Sequence, residues 1–226
     1  MKCTVCEISS SELAFMKNGY NILRCKNCGH LFAEITISPA KVNEIYSDNY
    51  FFGATAGYPD YTSEKDVLIE RGENYADLIK NFTIPGRVLD IGSAAGFILK
   101  GLENCGWQGI GIEPNCSMAK YGRNVVGVNI INSTLETVDF DEKFDLAVMI
   151  QVIAHLNNPN DSIGKIYNYL KPGGHILIET WNKDSITAKL FGKYWHELFP
   201  PFVINYFSKI TLNLLMTKNG FSLVSK

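Results

Sequence analysis

Four cysteines in the first 28 residues form two pairs, Cys3-x-x-Cys6 and Cys25-x-x-Cys28. Each C-x-x-C turn presents two sulfurs to one ion, and the spacing between the pairs fits a four-thiolate, tetrahedral zinc site. Such a site is structural, because four thiolates leave no coordination position for water. Redox disulfides are the alternative, but a thioredoxin-like motif needs a βαβ setting that these pairs lack. His30 follows the second pair, where four cysteines already complete the shell. Cys105 and Cys116 have no metal-ligand spacing and read as ordinary packed thiols.

A second chemical signal lies near the middle of the chain. Val88-Leu89-Asp90-Ile91 runs into the turn Gly92-Ser93-Ala94-Ala95-Gly96, and Gly109-Ile110-Gly111-Ile112 ends in Glu113 and Pro114. Bare backbone at Gly92 and Gly96 lets a ligand approach closely. An acid at the tip of the next strand, roughly twenty residues on, sits where a ribose diol is read. The pair therefore suits an adenosine cofactor. A dinucleotide is disfavoured, since Ala94 and Phe97 stand where G-x-G-x-x-G needs its second and third glycines, and there is no G-x-x-x-x-G-K-[ST].

Six apolar runs must position these groups: Val88 to Ile91, Gly109 to Glu113, Val128 to Ile131, Phe144 to Ile150, His175 to Glu179 and Phe221 to Val224. Most are near-continuous, as buried parallel strands are. Helices beginning near Ala95, Ser117, Ile153 and Asp161 fill the crossovers, predicting a doubly wound, mostly parallel α/β sheet. Ahead of it, Tyr46, Tyr50, Phe51, Phe52, Tyr58 and Tyr61 precede an S-x-x-D capping box at Ser63 and Asp66, followed by a helical pattern at Leu68, Gly72, Tyr75 and Ile79. The expected organisation is a zinc ribbon over 1–38, an aromatic linker and lid helix over 39–84, and the sheet domain over 85–226. A ribbon of this length cannot supply its own core, whereas zinc contributes on the order of 10 kcal/mol to such a knuckle.

The turn with Asp90, Gly92 and Gly96 resembles motif I of the class I S-adenosylmethionine-dependent methyltransferases, and the resemblance continues in order. Phe144-Asp145 with its strand, His155-Leu156, Leu170-Lys171-Pro172-Gly173-Gly174 and Tyr206-Phe207-Ser208 look like later blocks of that Rossmann-like fold, over roughly residues 85 to 224. The resemblance implies S-adenosylmethionine bound by Asp90, Gly92, Ser93, Ala94, Gly96, Glu113, Pro114 and Gln151, with Tyr61 contacting it from a lid. The aromatics read equally well as glue between ribbon and core. The resemblance also implies a small-molecule acceptor, such as a sugar or related metabolite. The family's final antiparallel strand is missing, because only Ser225 and Lys226 follow Val224.

A methyl on a sulfonium is already activated, so the protein mainly aligns the acceptor and excludes water. Where the acceptor must lose a proton, His155, just past the fourth strand, is the candidate general base. Helix capping or bracing of the pocket is its structural alternative. Three departures from the family pattern bear on this: Ala94 replaces a frequent glycine, Ala154 a frequent Glu, and Val203 a frequent His.

Composition agrees with a well-cored globular chain: 226 residues, 46% hydrophobic and 19% charged. A net charge of −2 gives no basic footprint and disfavours a nucleic-acid partner. No apolar run approaches the ~20 residues of a membrane span, and the N-terminus lacks a signal-peptide core, so a cytoplasmic location is expected. Oligomeric state is unreadable. Two rival functions stay open at this point: methylation of RNA through the ribbon, and a methyltransferase-like module that binds without turnover.

Overall fold

The computed structural model describes residues 1–53 and 57–224. In chain order the elements are β1 (Ser11–Lys17), β2 (Tyr20–Cys25), β3 (Leu31–Ala33), α1 (Pro39–Ile45), α2 (Asp48–Phe52), α3 (Lys65–Ile79), β4 (Arg87–Ile91), α4 (Phe97–Asn104) and β5 (Gln108–Ile112). They continue with α5 (Cys116–Tyr121), β6 (Ile130–Ile131), β7 (Phe144–Ile150), α6 (Pro159–Tyr169), β8 (Leu170–Glu179), α7 (Ile186–Phe191), β9 (Asn205–Tyr206) and α8 (Lys209–Lys218). The chain divides into two compact units. Among the described residues no helix is long and apolar enough to cross a membrane.

One unit comprises residues 38–150 and 169–177. Its sheet has the strand order β6-β5-β4-β7-β8, and the β4–β5, β4–β7 and β5–β6 pairs are parallel. This is the mostly parallel, helix-flanked sheet that the apolar runs predict. The apolar runs dictate it: Val88, Leu89, Leu146, Ala147 and Val148 are completely buried in the central strands. The polar exception in β7, Asp145, sits near the strand's start, where it accepts from Arg87 N–H and Lys171 Nζ, both at 2.8 Å. Helices α3 and α4 cross at Gly72 and Gly101, where a Cβ on Gly101 would lie 2.1 Å from the Ile69 carbonyl oxygen. Only glycine permits that approach.

The other unit comprises residues 1–37, 151–168 and 178–226. Its antiparallel sheet runs β1-β2-β3-β9. Asn18 and Gly19, at φ 49° and 81°, make the tight turn between β1 and β2, the left-handed pair a two-residue hairpin requires. The last strand comes from far along the chain, with Phe32 paired to Asn205.

Several local expectations are corrected. The Ser63 capping box does not form; Asp60 caps instead, its Oδ1 accepting from Thr62 N–H at 2.9 Å, while Ser63 Oγ donates to the Asp60 carbonyl. Residues 153–155 form a single 3₁₀ turn rather than the start of a helix, and α6 begins at Pro159. The run Phe221 to Val224 is not a strand. Phe221 packs edge-on against Tyr167, with ring centroids 5.3 Å apart, while Leu223 and Val224 are exposed. Ser225 and Lys226, on which the missing-strand expectation turned, lie outside the described residues.

Candidate functional site

Beyond β4 the chain reverses through three left-handed residues, Gly92 (φ 70°), Ala94 (φ 48°) and Gly96 (φ 75°). Gly92 and Ser93 both donate their N–H groups to the Ile112 carbonyl, at 2.9 and 3.0 Å, which fastens the turn to the end of β5. Gly96 begins α4, and a Cβ there would lie 2.4 Å from Val128 Cγ2. Ala94 adopts the left-handed conformation without being glycine, and its N–H is thereby aimed at Glu113 Oε2, 2.8 Å away. Glu113 Oε1 accepts from Asn115 N–H, also at 2.8 Å.

Two acids are therefore buried beside one turn, Asp90 at 3% exposure and Glu113 at 4%. Burial pushes Glu113 up to about 7 against the pull of its two N–H donors. Burial, reinforced by the charge of Glu113, likewise pushes Asp90 up to about 7. Asp90 Oδ2 and Ser93 Oγ are buried without a hydrogen-bond partner. Such groups fit a ligand that brings hydroxyls and positive charge.

Aromatic residues ahead of α3 lie in the same unit, where Phe51 and Tyr61 pack with Ala94 and Phe97. Tyr61 is buried, stacks on Phe97 at 5.5 Å, and meets Phe51 and Tyr58 edge-on. Burial first, then Tyr58 and the acids Asp90, Glu113 and Glu64, holds its phenol well above the usual range. The segment ahead of α3 is tied down by polar contacts: Asn115 Nδ2 donates to the Tyr46 carbonyl and to Asp48 Oδ1, at 2.9 and 3.1 Å, and Ser117 Oγ to Asp48 Oδ2 at 3.0 Å. An open cleft of about 560 Å³ lies there, lined by Tyr46, Asp48, Pro114, Asn115, Ser117 and Asn132 among others. Asp90, Gly92, Ser93, Ala94, Gly96, Glu113, Pro114 and Tyr61 all belong to this unit.

Gln151 and His155 belong to the other unit. Gln151 is left-handed (φ 58°), and its N–H and Nε2 donate to the Glu179 carbonyl and Oε1, at 2.8 and 3.1 Å. His155 Nδ1 lies 2.6 Å from the Phe202 carbonyl. Burial lowers its pKa, opposed by the Phe202 and Gln151 backbone carbonyls. A carbonyl can only accept, so the neutral ring carries its proton on Nδ1. Both residues line a small cavity of about 20 Å³ with Trp181, Trp195, Glu197 and Tyr206. Glu197, which the sequence did not single out, is pushed up by burial although His196 Nε2 lies 2.9 Å from its Oε1.

The N-terminal thiols gather in this second unit as well. One sulfur from each of Cys3, Cys6, Cys25 and Cys28 lies within 4.8 Å of all the others, with Cys3–Cys28 at 3.6 Å and Cys6–Cys25 at 3.5 Å. Zinc–thiolate bonds of about 2.3 Å in a tetrahedron put sulfurs roughly 3.8 Å apart, so the set suits one such ion. Burial raises the Cys3 thiol and takes Cys28 up to about 11, whereas at Cys6 backbone and thiol hydrogen bonds outweigh burial and lower it to about 7. His30 is not part of the cluster; it is fully buried, stacked on Phe32 and tilted against Phe207, with Nε2 3.4 Å from Asn205 Oδ1.

A parallel sheet whose first strand ends in this turn and whose second ends in a buried acid is the arrangement of an adenosine-cofactor-binding domain, the class to which methyltransferase domains belong. The chain belongs to the methyltransferase family: the family model described as "Methyltransferase domain" matches residues 68–226. Among curated proteins it is similar to a ubiquinone biosynthesis O-methyltransferase of Rhodopseudomonas palustris (strain BisB5), 32% identical over 103 residues, covering 43% of this chain and 41% of the relative. The matched stretch thus spans less than half the length of the relative. Among solved structures, an S-adenosylmethionine-dependent methyltransferase of Thermotoga maritima, described as a possible histamine N-methyltransferase, is 27% identical with a TM-score of 0.58, covering 72% of this chain and 76% of that one. The 1,6-didemethyltoxoflavin-N1-methyltransferase of Burkholderia thailandensis shares the fold at 15% identity, with a TM-score of 0.61 and coverage of 96% and 90%.

The raised carboxyls set a pH dependence. Glu113 titrates near 4.5 when unfolded and about 7 when folded, so its stability contribution is fully present below about pH 4.5 and is lost as pH rises towards 7; Asp90 acts in the same direction from 3.8. The ligand-free protein is expected to lose stability over that window. Urea unfolding at a series of pH values should show a shallower decline for Glu113→Gln, and an unchanged slope would contradict the assignment.

Proposed function

We propose that the chain is an S-adenosylmethionine-dependent methyltransferase acting on a small-molecule acceptor, with a structural zinc ion in the thiol cluster. The observation that carries the reading is the pair of buried, incompletely satisfied acids, Asp90 and Glu113, behind the left-handed turn of a methyltransferase domain. Each Glu113 oxygen accepts one backbone N–H and keeps a lone pair for a ribose hydroxyl. Asp90 Oδ2 and Ser93 Oγ are left to meet the remainder of the cofactor. The cofactor supplies an activated methyl group, and the residues named here hold and orient it.

The relatives named ubiquinone biosynthesis O-methyltransferase and possible histamine N-methyltransferase support a small-molecule acceptor. A sugar or related metabolite is the narrower class that the sequence resemblance implies. The net charge of −2 weighs against nucleic acid.

His155 is the proposed general base. S-adenosylmethionine, held by the residues named above, would supply the activated methyl group, and His155 would take up the proton that an acceptor loses. The Phe202 and Gln151 carbonyls favour the protonated ring that results, and burial keeps it neutral beforehand.

Three outcomes are expected. Calorimetry with S-adenosylhomocysteine should show binding that Glu113→Ala weakens by about 1.5–3 kcal/mol, the range for a hydrogen bond to a charged group; NAD binding with no response to S-adenosylhomocysteine would reverse the assignment. Metal analysis should find about one zinc per chain, the stoichiometry of a four-thiolate site, with Cys25→Ser losing it. His155→Ala should slow methyl transfer about 10²-fold or more at near-normal cofactor affinity. Near-normal turnover in that variant would make His155 a structural residue.

A further inference from the structure

We infer that Asn205 is a positioning residue that ties the first thiol-bearing turn to the turn carrying His155. The inference builds on the proposed role of His155 as base. Asn205 is 1% exposed, in β9, and its side chain bonds in two directions. Towards the thiol cluster, Oδ1 accepts from Thr4 Oγ1 at 2.6 Å, inside the Cys3-x-x-Cys6 turn, and lies 3.4 Å from His30 Nε2, two residues beyond Cys28. Towards His155, Nδ2 donates to the Leu156 carbonyl at 2.7 Å.

The same stretch grips the 153–156 turn at two further points. Ile204 N–H donates to the Ala154 carbonyl at 3.0 Å, and the Phe202 carbonyl lies 2.6 Å from His155 Nδ1. Three consecutive residues of the turn, Ala154, His155 and Leu156, are thus each bonded to the 202–205 stretch. That stretch is placed by the ribbon, since Phe32 pairs with Asn205 across β3 and β9. An amide is the side-chain group suited to this position, because it accepts at one end and donates at the other. A carboxylate would keep the Thr4 contact and lose the Leu156 one; a methyl would lose both.

The test uses the full-length, zinc-loaded, ¹⁵N-labelled protein. With four histidines in the chain, ring nitrogen spectra are simple, and His155→Gln assigns the signals of interest. The parent should show His155 as a single Nδ1–H tautomer. In Asn205→Ala the His155 ring signals should shift and the tautomer become mixed, and Thr4→Val should move them in the same direction by less, with both variants folded by circular dichroism. Unchanged His155 signals in folded Asn205→Ala would overturn the inference; if that variant does not fold, Thr4→Val decides by the same criterion. Turnover retained in His155→Gln would remove the base role and leave the spectroscopic coupling standing, whereas unchanged ring signals would remove the coupling and leave the base role untouched.

Discussion

Burying two carboxylates at the ends of adjacent parallel strands is the constraint around which the cofactor-binding unit is arranged. A charge taken out of water costs several kcal/mol unless donors meet it. Glu113 is met by the N–H groups of Ala94 and Asn115. The first of these requires left-handed backbone at Ala94, a conformation that costs an L-residue roughly 1–2 kcal/mol. A hydrogen bond to a charged acceptor contributes about 1.5–3 kcal/mol, which offsets that strain. The strained turn and the buried acid therefore stabilise each other, and the turn that begins α4 follows from meeting Glu113.

The unit that carries the thiols is held together differently, by side-chain amides that bridge its short strands and turns. Its two shortest strands, β3 and β9, span three and two residues. Buried amides make up for the missing ladder. Asn160 Nδ2 donates to the carbonyls of Thr4 and Val5, at 2.7 and 3.0 Å, and its Oδ1 accepts from Asn219. Asn205 does the corresponding work on the other side of the same turn. Cys3 and Cys6 thus sit on a turn whose backbone carbonyls are held by α6 and whose hydroxyl is held by β9, so this end of the thiol cluster is built into its unit through polar contacts.

How much of this was legible in the sequence follows from whether each feature is local. The motif I turn and the parallel strands were legible because backbone freedom at glycine and continuous apolar runs leave few alternatives. The thiol grouping was legible for the same reason, two short C-x-x-C turns being self-contained. The placement of β9 beside β3 was not, because its pairing joins residues 32 and 205 and depends on a two-residue strand with no periodicity. The same holds for Asn205, an isolated asparagine whose partners Thr4 and Leu156 are scattered along the chain. At Ser63 a local pattern misled, because the 3₁₀ turn over Tyr61–Glu64 moved the capping position back to Asp60. Phe221 to Val224 misled in a different way: a four-residue apolar run is a strand only if a sheet edge accepts it, and here only Phe221 found a packing partner.

The two acids also separate structural from functional explanations of the cofactor-binding unit. Were that unit selected for stability alone, Asp90 would be a poor choice, since its Oδ2 is buried with no donor and Glu113 lies close enough to raise its pKa. An apolar residue of similar size would avoid both penalties. Retaining an unmet acceptor beside a second buried acid is economical only where a ligand completes the set. Binding by itself does not require turnover, and the distinction rests with the other unit. There the His155 ring is anchored through Nδ1 to the Phe202 carbonyl and its pKa is lowered by burial, a setting shared by bracing and proton-accepting histidines, so turnover of the His155→Ala variant is what separates the two.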